Sequence, residues 1–270
     1  MARRTVILRI ALAALLAFWL FPVYWMLLTS LKPAPIINRP VPAFVFTPTL
    51  ENYRGLFVDF DFLPSLLNSL TIASLTTLIV AILAFLAGYA LARLELPGEK
   101  HIAIFILSLR FLPPIAIGIP FFLIWQGLGL LDTRGGLVLV YVAFNLPFAV
   151  WILRGFLVDM PRELEEAAAL DGLGILQTMW RIILPLSGPA IAVTSMFTFI
   201  FTWNEYFFAL LLTSIHAVTV PVTIAKLIMP YTILWGHIGA AVVVQLVPML
   251  LVVALLQRHL VRGLTLGAVK

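Results

Sequence analysis

Glu165-Glu166-Ala167-Ala168-Ala169-Leu170-Asp171-Gly172, running on through Leu173 to Leu184-Pro185, is a charged island in a chain that is otherwise close to continuous hydrocarbon. Of the 270 residues, 63% are hydrophobic and only 11% charged, and the mean hydropathy is +1.11. An average soluble domain carries roughly 25% charged residues. A globule this apolar could not cover its own surface, so its solvent is a lipid bilayer. The absence of cysteine excludes disulfides, thiolate metal sites and cysteine nucleophiles. The net charge of +5 is modest and reads as loop-orienting charge, not as a nucleic-acid footprint. The histidines (His101, His216, His237, His259) are scattered without metal-ligand spacing, so no metal site is expected.

Outward from the island, the chain divides into apolar runs of helix length. Arg3, Arg4 and Arg9 precede 22 uncharged residues from Ile10 to Leu31. A signal peptide has an apolar core of only ~7–15 residues, so this run is expected to be a retained first crossing. Pro33, Pro35, Pro40, Pro42, Pro48 and Pro64 mark an extramembrane loop with little regular structure. Five further runs follow, and six crossings are expected at about 10–31, 65–91, 102–127, 137–153, 186–211 and 237–257. The third is expected to be irregular, because Arg110 lies inside it and Pro113, Pro114 and Pro120 follow. Residues 1–270 are read as one transmembrane domain, with 154–184 as its longest charged loop on one side and 212–235 as a loop on the other.

Six crossings put both termini on one face. That face carries Arg3, Arg4, Arg9, Arg93, Lys100, Arg154, Arg162, Arg181, Arg258, Arg262 and Lys270, and the other carries Lys32, Arg39, Arg54, Arg134 and Lys226. The basic excess assigns the first face, and the island with it, to the cytoplasm.

Within the island, Pro161 suits a first helical turn, and Glu163, Glu165 and Glu166 suit its positive end. Leu164, Ala167 and Ala168 make one small apolar stripe, and Gly172 stands where a helix ends. A second helix is expected to gather Ile175, Leu176, Met179, Ile182 and Ile183 on one face. Two readings are open on physical grounds: an amphipathic elbow lying on the bilayer surface, or a short helix that docks in another protein's groove.

Glu166-Ala167-Ala168, then three residues, Gly172, nine residues, Ile182, one residue and Leu184-Pro185 resemble the EAA signature of ABC importer permeases. Leu131-Asp132-Thr133, Trp203-Asn204-Glu205 and the terminal Arg262-Gly263-Leu264-Thr265-Leu266-Gly267-Ala268-Val269-Lys270 are similar to segments of the maltose-type carbohydrate permeases. The resemblance implies an all-α membrane protein with the type I ABC importer permease fold, six transmembrane helices and cytoplasmic termini. It implies ATPase coupling through 163–184, with Glu165, Glu166, Ala167, Ala168, Asp171, Gly172, Ile182, Leu184 and Pro185 as the contact set. It also implies a second homologous permease in a heterodimer, two ATP-binding subunits, an extracytoplasmic solute-binding protein and a multi-pass place in a bacterial or archaeal cytoplasmic membrane. The chain has no G-x-x-x-x-G-K-[ST] phosphate loop. No cofactor is therefore expected on it, no catalysis, and ATP-Mg only on the partner ATPases.

A few polar residues inside the crossings are candidates for the solute pathway. Glu205, beside Trp203, Asn204 and Tyr206, would make a sugar-facing set, or would lie solvated at the outer interface with belt aromatics. Arg110 would line the inner pathway, or snorkel from a crossing that begins at 111. Asn145 with Pro147 would mark a bent cavity wall, or a helix-to-helix hydrogen bond. The expected function is ATP-driven import of a sugar or polyol by alternating access. The alternative is an ion-coupled secondary transporter or channel, which would call for more intramembrane ionisable groups or inverted repeats than are found here.

Overall fold

A computed structural model describes the backbone from Ala2 to Leu266 and the side chains of residues 5–257. The basic side chains Arg3, Arg4, Arg258, Arg262 and Lys270 lie outside the described residues, as does most of the family-like terminal segment. Every long element is helical: α1 (Ala2–Ser30), α4 (Phe62–Arg93), α7 (Arg134–Asp159) and α14 (Trp235–Leu266). Inside lipid no water is available to backbone groups, so each crossing must bond to itself, and a helix does that. Four helices are long and apolar enough to cross a bilayer: Thr5–Ser30, Phe62–Arg93, Arg134–Asp159 and Trp235–Gln257. Two bent pairs, each counted as one crossing, bring the number to six among the described residues.

The bends have covalent causes. In the third crossing, α5 (Glu99–Ser108) and a 3-10 turn (Leu109–Phe111) give way to α6 (Pro114–Gly127) with an 89° change of direction. Leu112 precedes Pro113, and Pro113 precedes Pro114. A residue before proline is driven out of the helical region, and both take extended ψ angles, 121° and 123°. In the fifth, Ile175–Leu186 meets α11 (Gly188–Trp203) at 71°. Pro185 and Pro189 lack the amide hydrogens that would carry one helix through this corner.

Several expected boundaries differ. The segment after Lys32 is not bare loop; it holds the short α2 (Ala34–Ile37) and α3 (Glu51–Val58). Helix α7 continues six residues past the expected end of the fourth crossing, so Arg154 stands on a helix. The island folds as α8 (Glu163–Leu170), followed by a curved stretch of α9 (Ile175–Thr178), a π turn (Met179–Ile183) and α10 (Leu184–Leu186). The fifth crossing ends at Trp203, and a separate α12 (Phe207–Leu212) starts after a three-residue break. Residues 212–235 contain α13 (Val220–Lys226) and a two-strand hairpin, β1 (Ile228–Met229) with β2 (Thr232–Ile233).

The chain forms two compact units, with cuts after residues 66, 219 and 248, where the sequence reading drew one domain. In the first unit, Leu56, Phe62, Val220, Leu227 and Ile238 form the core. Asn52 donates to the carbonyls of Ser30 and Lys32 at 2.9 and 2.8 Å, pinning the end of α1 to α3. From Thr5 to Tyr24 every side chain of α1 is exposed. In the second unit, α4 packs on α7 and on the π turn through Val80, Ala84, Phe85, Leu153, Leu157, Met179 and Ile183. Gly88 permits the close crossing, since a Cβ there would meet the Arg154 backbone nitrogen at 3.1 Å.

Candidate functional site

Two constructions in the second unit bring candidate residues together. The first is the island itself. Helix α8 ends in a Schellman motif: Leu173 N–H bonds to the Ala168 carbonyl at 2.9 Å and Gly172 N–H to that of Ala169 at 3.0 Å. Gly172 takes φ +81°, the left-handed conformation that this cap demands. Nothing lies within 4 Å of where its Cβ would be, so backbone conformation alone demands glycine here. The base of α8 is bolted down. Arg93, at the end of α4, donates from Nε to Glu165 Oε1 at 3.0 Å and from Nη2 to the Met160 carbonyl at 2.9 Å.

The exposed surface of the island differs from the expected stripe. Ala168 is 2% exposed and faces its own chain, whereas Glu166, Ala167, Ala169 and Asp171 face outward. Leu170, absent from the expected stripe, is 90% exposed at the tip. The second helix divides too: Met179 and Ile183 are buried and Ile182 half-buried, but Ile175 and Leu176 are exposed. A large apolar side chain held at a rigid tip, with small residues and carboxylates around it, is a shape that fits a cleft. Leu184 and Pro185 lie in α10 at the corner, not on this exposed tip.

The second construction is a cavity of about 340 Å³ inside the crossings. Arg110, Asn145 and Glu205 all line it, and so do Tyr141, Phe144, Phe201 and Phe208. Arg110 reaches it from the 3-10 turn at the proline break. Its Nη1 donates to the Phe144 carbonyl at 2.9 Å, and its guanidinium stands 5.0 Å from the centre of the Phe201 ring. Neither expected setting for Glu205 describes it fully. It sits in the break between α11 and α12, where Oε1 accepts the Phe208 N–H at 3.0 Å and Oε2 accepts the Ala209 N–H at 3.3 Å. Tyr141 donates its hydroxyl to Oε2 at 2.7 Å. The carboxylate thus starts α12 and ties it to α7.

Asn145 lines the cavity and also makes a helix-to-helix hydrogen bond, within an α7 that runs unbroken through Pro147. Its Nδ2 donates to the Tyr141 carbonyl at 2.8 Å and to Thr202 Oγ1 at 3.3 Å, joining α7 to α11. Its Oδ1 is buried without a partner among the described residues. Trp203, Asn204 and Tyr206 are not among the lining residues. Trp203 is 1% exposed and stacks on Phe199 at 5.6 Å, so it is interior packing, not a plate offered to a ring. Asn204 donates to the Ile200 carbonyl and caps α11, and Tyr206 is exposed beyond it.

The aromatic walls escaped the sequence reading. Tyr141 precedes Asn145 by four residues, and Phe201 precedes Glu205 by four; that spacing was the available signal. A further unrecognised joint lies outside the crossings. Asp132 takes φ 54°, and its carboxylate accepts the N–H groups of Ser214, Ile215, His216 and Ala217 at 2.9–3.2 Å. Burial pushes this carboxyl upward, but the four N–H groups outweigh it and hold it well below the usual carboxylate range. Asn68 reinforces the joint, donating to the His216 and Val218 carbonyls and accepting from Arg134 Nε at 2.7 Å.

Comparison with known proteins places this geometry. Residues 83–266 match the family described as binding-protein-dependent transport system inner membrane component. The chain is 36% identical over 274 residues to the trehalose transport system permease protein SugB of Mycobacterium tuberculosis, covering 100% of this chain and 99% of the relative. It is 40% identical over 255 residues to the trehalose/maltose transport system permease protein MalG of Thermococcus litoralis, covering 93% and 91%. A crystal structure of a bacterial ABC transporter involved in the import of the acidic polysaccharide alginate superposes with a TM-score of 0.79 at 23% identity, covering 95% of this chain and 96% of the other. The shared architecture is that of an ABC importer permease, and no comparison supports the ion-coupled alternative. With a family match over most of its length and relatives aligned end to end, the chain belongs to the inner-membrane components of binding-protein-dependent transport systems.

Proposed function

We propose that this chain is one permease subunit of an ATP-driven importer for a carbohydrate, with the solute passing the cavity of Arg110, Asn145 and Glu205. The observation that carries the sugar reading is the end-to-end similarity to a permease named for trehalose. The cavity suits such cargo. Phe144, Phe201 and Phe208 offer ring faces, Arg110 offers N–H donors, and Asn145 Oδ1 needs a hydroxyl donor.

The termini and the island face the cytoplasm in this reading, on the strength of the basic excess in those loops. The exposed tip of Glu166, Ala167, Leu170 and Gly172 docks on an ATP-binding subunit, where ATP-Mg is held and hydrolysed. A second permease subunit completes the pathway, and an extracytoplasmic binding protein delivers the solute. Closure of the ATPases moves α8. Arg93 and Glu165 carry that motion to α4, and the cavity opens alternately to the two faces.

The test is uptake in proteoliposomes holding the chain with its partner permease, its ATPases and its binding protein. Labelled trehalose or maltose enters only when ATP is supplied on the ATPase side, and a protonophore has no effect. Uptake by the chain alone on an ion gradient would defeat the importer reading. ATP-driven uptake of amino acids with none of any sugar would defeat the carbohydrate reading.

A further inference from the structure

The cavity between the crossings is lined by one side chain of each charge, Arg110 and Glu205, and the two are not equally engaged. The Glu205 carboxylate already accepts the Phe208 and Ala209 N–H groups and the Tyr141 hydroxyl. Arg110 donates through Nη1 alone, to the Phe144 carbonyl, with its guanidinium over the Phe201 ring. No ion pair joins it to Glu205 among the described residues. Its Nε and Nη2, which share one edge of the guanidinium plane, have no partner among the described residues and remain accessible. Bracing α7 takes a single donor, which a lysine would supply. The free edge is the fork that binds a carboxylate through two parallel N–H bonds.

Asn145, in the same lining, asks for the opposite chemistry. The residue is 5% exposed, its Nδ2 is used twice, and its Oδ1 is buried with no donor among the described residues. A buried acceptor in that state costs free energy until a donor reaches it. A bare anion would suit Arg110 and leave Asn145 unmet. A neutral sugar would suit Asn145 but offer the guanidinium edge only uncharged oxygens. A sugar that carries an acid group serves both. On the reading of this cavity as part of the solute path, we propose that Arg110 makes it a subsite for the carboxylate of an acidic sugar, with Asn145 facing the hydroxyls. Neutral sugars pass through the same cavity but are held less tightly there.

The transporter, assembled in nanodiscs with its partner permease and ATPases but without the binding protein, is dialysed at pH 7 against radiolabelled methyl glucoside, methyl glucuronide and methyl glucuronamide. These differ only at C6, which is a hydroxymethyl, a carboxylate or an amide, so charge is separated from shape. The glucuronide is retained about tenfold more tightly than the glucoside, the factor expected when a neutral hydrogen bond becomes a charge-assisted one. The glucuronamide behaves like the glucoside. Arg110→Gln keeps a donor for the Phe144 carbonyl but levels the three ligands. Arg110→Lys keeps part of the preference and thereby reports an intact cavity. Asn145→Leu weakens all three by a similar factor and leaves their ratio unchanged. Equal retention of glucuronide and glucoside, or an unchanged preference in Arg110→Gln, overturns the acid subsite and leaves the carbohydrate pathway standing. Retention of none of the three removes the solute path from this cavity, and the subsite with it.

Discussion

Arg93 at the end of α4 and Glu165 in the first turn of α8 form an ion pair at 3.0 Å in which the arginine side chain is 5% exposed. The same guanidinium holds the carbonyl of Met160, the residue that caps the end of α7 before the island. One side chain therefore joins the ends of α4 and α7 to the first turn of α8. Removing one partner of such a pair leaves the other buried and uncompensated. Glu165→Ala is expected to cost about 2 kcal/mol and Arg93→Met a similar amount. The double variant loses less than the sum, with a coupling of about 1–2 kcal/mol in a thermal-unfolding cycle in nanodiscs. Additive losses would mean that the pair transmits nothing between α4 and α8.

The tip and the base of α8 separate docking from folding. Leu170→Arg alters a side chain that is 90% exposed, so thermal stability stays within about 0.5 kcal/mol. Co-purification with the ATPase subunit is nevertheless lost. Ala168→Glu acts oppositely, placing a carboxylate in a buried position, and lowers the melting temperature before any partner is added. Gly172→Ala strains the φ +81° cap by about 1 kcal/mol without a clash. Normal ATPase capture by Leu170→Arg would take the tip out of the docking surface.

In the cavity, Asn145→Leu removes an orphaned oxygen along with two hydrogen bonds, so stability changes by less than about 1 kcal/mol. Sugar uptake by the assembled transporter falls at least about tenfold, the equivalent of one lost hydrogen bond to solute. Glu205→Gln gives a different profile. It weakens the start of α12 and the Tyr141 bond together, costing about 1–3 kcal/mol of stability as well as uptake. Tyr141→Phe shows a smaller part of the same loss. Equal stability losses in Asn145→Leu and Glu205→Gln would contradict the division between lining and scaffold.

The Asp132 joint has a pH signature. Its carboxyl is depressed in the folded chain relative to about 3.9 in an unfolded one. The stabilisation is therefore fully present above pH 4 and is lost as pH falls further, through the depressed folded value. Asp132→Asn destabilises the chain by about 1 kcal/mol at pH 7, and the gap to the wild type narrows below pH 4. Hydrogen exchange at the amides of residues 214–217 is the direct readout. A gap that widened on acidification would mean that the carboxylate is not the element holding the loop.

What the sequence determined by itself was whatever is local or compositional. The bilayer solvent follows from the scarcity of charge, and the crossings follow from uncharged runs of helix length. The bend in the third crossing follows from Pro113-Pro114, and the glycine cap of α8 from the position of Gly172 after a short acidic helix. These depend on residues within a turn or two of one another, where stereochemistry acts directly. Facing could not be read in the same way. A helix apolar on all sides has no polar stripe to mark its outward surface, so the burial of Trp203 and the inward turn of Ala168 awaited the packed chain. The same limit hid every partnership across the fold. Arg110, Asn145 and Glu205 share one cavity only because a proline break, α7 and the start of α12 converge there. Asp132 finds four amides more than eighty residues away. Such pairings are decided by long-range packing that no periodicity in the chain records, and the tertiary structure alone assigned them.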